Sequence, residues 1–104
     1  ENAAELELRD IARLRLANLL LDEKAYDEAL KLLEREPAPT FSGRFHEMRG
    51  DIHAVQGKSA EAKKSYEAAI AQFDEVAKAA PAGAVDERQK AILQLKLESL
   101  GVGP

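Results

Sequence analysis

Cysteine is absent from the 104 residues, which excludes disulfides and thiolate metal ligands and leaves the redox compartment open. Tryptophan is absent too, and only 5% of residues are aromatic against 45% apolar. Because the apolar share is mostly alanine and leucine, it suits short-range helix packing better than a sheet. No apolar run approaches the roughly 18 residues of a membrane span. Neither charge sign dominates: 15 lysines and arginines are interspersed with 19 acidic residues, for a net charge of −4, so the basic stripe of a nucleic-acid-binding surface is missing. Also missing are a nucleophile elbow, a phosphate loop and a convergent carboxylate pair, and Gly43 and Gly50 stand singly in a helical pattern. His46 and His53 are seven apart on one helix, about 10 Å along its axis, too far to share an ion without ligands from elsewhere. Both read as structural or surface histidines. The expectation is a non-enzymatic chain without cofactor or metal. It begins at Glu1, without methionine and inside what reads as helix, so the further expectation is a fragment of a longer parent with any targeting segment upstream.

What is present is a repeat. The stretch RFHEMRGDIHAVQGKSAEAKKSYEAAI, Arg44 to Ile70, reads as a helical hairpin. Gly50 falls mid-helix, at a cost of roughly 1 kcal/mol relative to alanine, and the compensating gain is close approach of a second helix. Ala62 and Ala69 supply the matching small surface, and Tyr66 fills the remaining space. Gly57 gives a left-handed C-cap in the Gln56-Gly57-Lys58 turn, and Ser59 caps the next helix. An offset of about 33 residues recovers a second hairpin in IARLRLANLLLDEKAYDEALKLLE, near the tetratricopeptide period of about 34. Gly50 then maps to Ala17, Gly57 to Lys24, Ala62 to Ala29 and Tyr66 to Leu33. The fold expected is all-α: a tetratricopeptide-like right-handed helical solenoid of two helix-turn-helix repeats, about 3–36 and 41–80, plus a capping helix at about 85–100. A plain antiparallel helical bundle shares the period and is the alternative.

Helix one is expected from about Ala3 to Leu21, with Leu16, Ala17 and Leu20 toward its partner. A second stripe, Ile11, Leu14, Asn18 and Leu21, occupies another face and lines the concave side of the solenoid, to be covered by upstream sequence, a second copy or a ligand. Arg44, Glu47 and Asp51 extend this groove on the second hairpin. Helix two is expected from Tyr26 to Arg35, stopped by Glu36-Pro37-Ala38-Pro39-Thr40; Thr40 or Ser42 then caps helix three. Helix four runs from Ser59 to Ala80. Pro81-Ala82-Gly83 breaks it, Asp86 with Gln89 starts helix five, and residues from Gly101 onward fray. Helix five has one polar and one apolar face, as a solenoid cap requires. Arg49, beside Gly50, either pairs with an acidic residue or helix-end carbonyls or lifts its head into water.

The run LRLANLLLDEKAYDEALKLLE, then FHEMRGDIHAVQGKSAEAKKSYEAAI, then a helix ending in QLKLESL, resembles the C-terminal half of the YfgM-type proteins. These are tetratricopeptide-like ancillary subunits of the bacterial Sec translocon. The Met48-Arg49-Gly50 step and the Gln56-Gly57-Lys58 turn carry it most specifically. The resemblance implies an N-terminal membrane anchor outside this chain, a periplasmic repeat domain, and contact with the SecYEG channel and periplasmic chaperones. Only Asn18 matches the clamp by which some such repeats hold a C-terminal carboxylate, so an apolar or amphipathic segment is the expected ligand. The alternatives are a homodimerising element, an adaptor of an unrelated pathway, or a groove for a metabolite.

Overall fold

The computed structural model describes residues 2–78 and 87–101. Among them the chain is helical throughout its regular structure: α1 (Ala3–Asp22), α2 (Tyr26–Leu32), α3 (Pro39–Val55), α4 (Ser59–Lys78) and α5 (Glu87–Ser99), with no strand. α1 and α2 form one hairpin, α3 and α4 a second, and α5 lies against α4. The whole measures 42 × 31 × 17 Å, less than two full helix diameters in its thinnest direction.

Asn2 caps α1 by accepting a 2.9 Å hydrogen bond from the Glu5 amide. Both hairpin turns then use one device. At the end of α3, Gly57 has φ +78°, its N–H reaches the Ala54 carbonyl at 3.0 Å, and the Lys58 N–H reaches His53 at 2.8 Å, the paired bonds of a Schellman cap. At the end of α1 the same bonds run from Lys24 to Leu21 at 3.0 Å and from Ala25 to Leu20 at 2.8 Å. The left-handed residue is there a lysine, φ +63°, which costs about 1 kcal/mol that glycine avoids.

α2 departs from expectation: it stops at Leu32 rather than running to Arg35. Pro37 and Pro39 lack the N–H groups that would bond the Leu33 and Arg35 carbonyls, and their rings would crowd those carbonyls in a continued helix. α3 also starts early, with Pro39 in its first turn and Ala38 as an N-cap without a side-chain bond. Thr40 and Ser42 lie inside the helix, so neither is the cap. Proline suits a first helical position because the N–H it lacks would have no intrahelical partner. The expected end of α4 at Ala80, the Pro81-Ala82-Gly83 break and the start at Asp86 lie outside the described residues.

Two core clusters follow the repeat. Ala17, Ala29, Leu33, Phe45 and Ile52 are fully buried where α3 closes the first hairpin. Ala62, Tyr66, Ala69 and Leu93 are buried where α5 closes the second. Burying each of the larger side chains contributes about 1.5–3 kcal/mol. Between α3 and α4 the close approach takes an unforeseen form. A Cβ at Gly50 would stand 2.5 Å from the Tyr66 ring, and one at Gly43 would stand 2.9 Å from the Phe73 ring. Two rings seven residues apart thus fill two glycine notches seven residues apart. Ala62 and Ala69 are buried in the same seam, but the atoms nearest the Gly50 notch belong to Tyr66 rather than to a second small residue.

Candidate interaction surface

The surface is positioned by a polar clasp at the junction of the two hairpins. Ending α2 at Leu32 leaves its last carbonyls without intrahelical donors, and two arginines supply them. Arg13 of α1 donates through Nε and Nη2 to the Leu32 carbonyl, at 3.0 and 2.8 Å, and through Nη2 to Arg35. Arg49 of α3 donates to the Leu33 carbonyl. Both cations stand at the negative end of α2, where the helix dipole favours them. Asp10, only 5% exposed, pairs with Arg13 at 3.3 Å and accepts the Ala38 N–H at 2.9 Å, so α1 anchors the start of α3. Arg13 also lies 4.8 Å from the Phe45 ring centre, a cation–π contact. The sequence marks Asp10 and Arg13 only as an i, i+3 charge pair, because their other partners are backbone groups 19 to 28 residues downstream.

Arg49 takes the paired form of the two expected, with helix-end carbonyls. It also donates to His46 Nδ1 at 3.0 Å. A guanidinium has no acceptor, so Nδ1 carries the lone pair and neutral His46 holds its proton on Nε2. Burial first, and the Arg49 charge second, hold the His46 pKa below the usual histidine range, against the nearby Glu36. His53 is lowered as well, mainly by burial, and its Nδ1 is buried without a partner. Among the described residues no three His, Cys, Asp or Glu side chains converge as a metal site.

The seven groove residues do not form one open wall. Asn18 is exposed and Ile11 half-buried, but Leu14 and Leu21 pack against the first core cluster and are partly consumed by it. Arg44 is exposed, 5.7 Å from the Phe41 ring centre. Glu47 and Asp51, expected on an open wall, are instead engaged by α5. Lys96 Nζ contacts Glu47 Oε2 at 2.7 Å and Asp51 Oδ1 at 3.0 Å, and Gln89 donates to Glu47 Oε1. Burial alone would lower the Lys96 pKa, but its hydrogen bonds to Glu47 and Asp51 outweigh that and raise it. Tyr66 donates to Asp51 Oδ1 at 2.7 Å; burial, then this bond and the charges of Asp51 and Glu47, push its phenol well up. Of the seven, Asn18 and Arg44 thus stay exposed, and Ile11 stays half-buried. On α1 the apolar surface also extends elsewhere: Leu8 and Leu19 are exposed, and Leu16, expected to meet α2, faces that helix across an open cleft and stays exposed as well. An apolar cleft lies between Leu16, Leu20 and Leu32.

This arrangement belongs to a class: short helical hairpins stacked so that each closes the core of the one before, which present a preformed surface. A profile described as "Tetratricopeptide repeat-like domain" matches residues 1–102, and the chain belongs to that family. It is 33% identical over 93 residues to a protein of Neisseria gonorrhoeae (strain ATCC 700825 / FA 1090) called "Ancillary SecYEG translocon subunit". The match covers 89% of this chain and 40% of that relative, so the chain spans well under half of the relative's length. No solved structure matches it significantly.

Proposed function

We propose that the domain is a non-enzymatic protein-interaction scaffold of an ancillary Sec translocon subunit. In this reading it stands in the bacterial periplasm, tethered to the inner membrane by an anchor elsewhere in the full-length protein, and links the SecYEG channel to periplasmic chaperones. The observation that carries the reading is the similarity of almost the whole chain to a subunit named for that channel. The geometry supports it physically. The Asp10–Arg13 clasp holds the first hairpin against α3, and the glycine notches set α4 against α3, before any partner arrives, so little ordering entropy opposes binding on this side. A photo-crosslinker at Asn18 or Arg44 of the full-length protein in its membrane is expected to trap a channel subunit or a periplasmic chaperone. Recovery of neither from both positions overturns the role.

A second reading, self-association through α1, is favoured by Leu8 and Leu19, which are 67% and 59% exposed on a helix otherwise packed on one side. Light scattering across a dilution series checks it: a mass that stays monomeric at high concentration rejects it.

A further inference from the structure

α5 is held differently from the other long helices. It completely buries a single side chain, Leu93, whereas α4 buries Ala62, Tyr66 and Ala69. Leu97 and Leu100 pack partly buried against the same cluster, and the remaining ties are electrostatic. Lys96 meets Glu47 and Asp51, and Lys90 meets Asp74 of α4 at 2.8 Å, so the seat presents three carboxylates and α5 answers with two lysines. The expected polar stripe is exposed at Glu87, Gln94 and Glu98, as a solubilising cap requires, but part of the apolar face is exposed with it: Ile92 and Leu95 are 38% and 64% exposed. A helix with few buried side chains and a second apolar row opens at lower free energy than the rest of the fold.

We propose that the seat on α3 and α4 is a docking site for an amphipathic helix of a partner protein, leucine-rich with lysines on the seat-facing side, and that α5 is its internal competitor. The inference rests on the scaffold reading above and names the chemistry of one partner segment. Charge complementarity selects the ligand: Glu47, Asp51 and Asp74 favour a basic helix and repel an acidic one. The competition selects the source. An α5 from a second copy would remake the same contacts while giving up the high effective concentration of a tethered helix. Only a different helix, with more contacts to the seat, gains by displacing it.

Two measurements on the whole chain test this. In hydrogen exchange, amides of Leu93 to Leu97 are expected to exchange faster than those of α3 and α4; exchange of all three helices together, only on global unfolding, overturns the proposal. In the second, a fluorescein-labelled peptide of residues 87–101 serves as the probe helix. It is expected to bind a Lys96→Glu chain at least about tenfold more tightly than the wild-type chain, because the chain's own α5 loses its charged contacts to both Glu47 and Asp51 and sets a carboxylate against them. A Leu93→Ala chain should behave likewise, and a Lys96→Glu peptide should bind neither. Equal binding to all chains, equal binding of both peptides, or a dimer of the chain exchanging α5 between copies overturns it. Crosslinks from Asn18 and Arg44 do not depend on α5. If they persist while the peptide fails, this inference alone falls; if the peptide binds and they are absent, the scaffold role at the channel falls instead.

Discussion

Replacing Gly50 by alanine sets two effects of known sign against each other. Alanine in mid-helix gains about 1 kcal/mol of helix propensity. Its Cβ, however, would lie 2.5 Å from Tyr66 Cε1 and 2.6 Å from Cδ1, where carbon atoms settle near 3.5–4.0 Å. The ring must retreat by about 1 Å, and it is poorly placed to do so. Tyr66 is only 3% exposed and its hydroxyl is held by Asp51. Overpacking costs about 1–3 kcal/mol, and a stretched hydrogen bond to a charged acceptor adds about 1.5 kcal/mol, so Gly50→Ala should destabilise by about 2 kcal/mol net. Gly43→Ala is the internal control. Its Cβ would sit 2.9 Å from Phe73, a ring that is only half-buried and lacks a hydroxyl to anchor it, so the propensity gain should nearly offset the clash. Urea unfolding followed by helical circular dichroism gives both values. Adding Tyr66→Leu to Gly50→Ala should recover part of the loss, since the pair shares one contact. The reasoning is refuted if Gly50→Ala is as stable as the parent, or if Gly43→Ala proves the more damaging of the two.

The clasp and the turns make further expectations. Arg13→Ala removes the donors to Leu32 and Arg35 and leaves buried Asp10 without its cation, and should cost about 3 kcal/mol; a loss below that of an exposed arginine, measured in the same melts, refutes the capping role. Arg49→Ala should lower the melting temperature by less, reflecting about 1–2 kcal/mol for a half-buried charged hydrogen bond, and unchanged stability rejects its pairing with Leu33. Lys24→Gly should stabilise by about 0.5–1 kcal/mol by relieving a left-handed lysine; a lower melting temperature contradicts the turn geometry. The folded pKa of His46 lies below its unfolded value, so between the two the unfolded chain binds more protons and stability rises with pH. That contribution is complete above the unfolded value of 6.5 and is lost as pH falls through it toward the folded pKa. The melting temperature of His46→Gln should therefore fall less than the parent's between neutral and mildly acidic pH, and parallel curves rule out the histidine.

Periodicity made the hairpins legible because helix packing is written in side-chain size. Ala17, Ala29, Ala62 and Tyr66 fall at helical spacing twice over, and all four are buried. Even the strained turn was reachable, since the repeat offset lays Lys24 on Gly57 and both adopt positive φ, although lysine by itself gives no such signal. Contacts between a side chain and a distant backbone carbonyl have no such alphabet. A carbonyl is the same at every residue, so Arg13 could not be assigned to Leu32, nor Asp10 to the Ala38 amide, before the chain was folded. The prolines were the clue. Pro37 and Pro39 are a stop signal in the sequence, but each also removes a donor, and a carbonyl deprived of its donor must find another; two arginines, Arg13 and Arg49, sit within reach. The groove departs from expectation for a related reason. Glu47 and Asp51 face the concave side by periodicity, yet periodicity within one helix carries no information about which later helix will cover it. Lys90 and Lys96, spaced to meet three carboxylates on α3 and α4, decide that together with Leu93, Leu97 and Leu100 on the apolar side, and because exposed charged contacts are weaker than apolar seams, α5 is expected to be the first of the long helices to open.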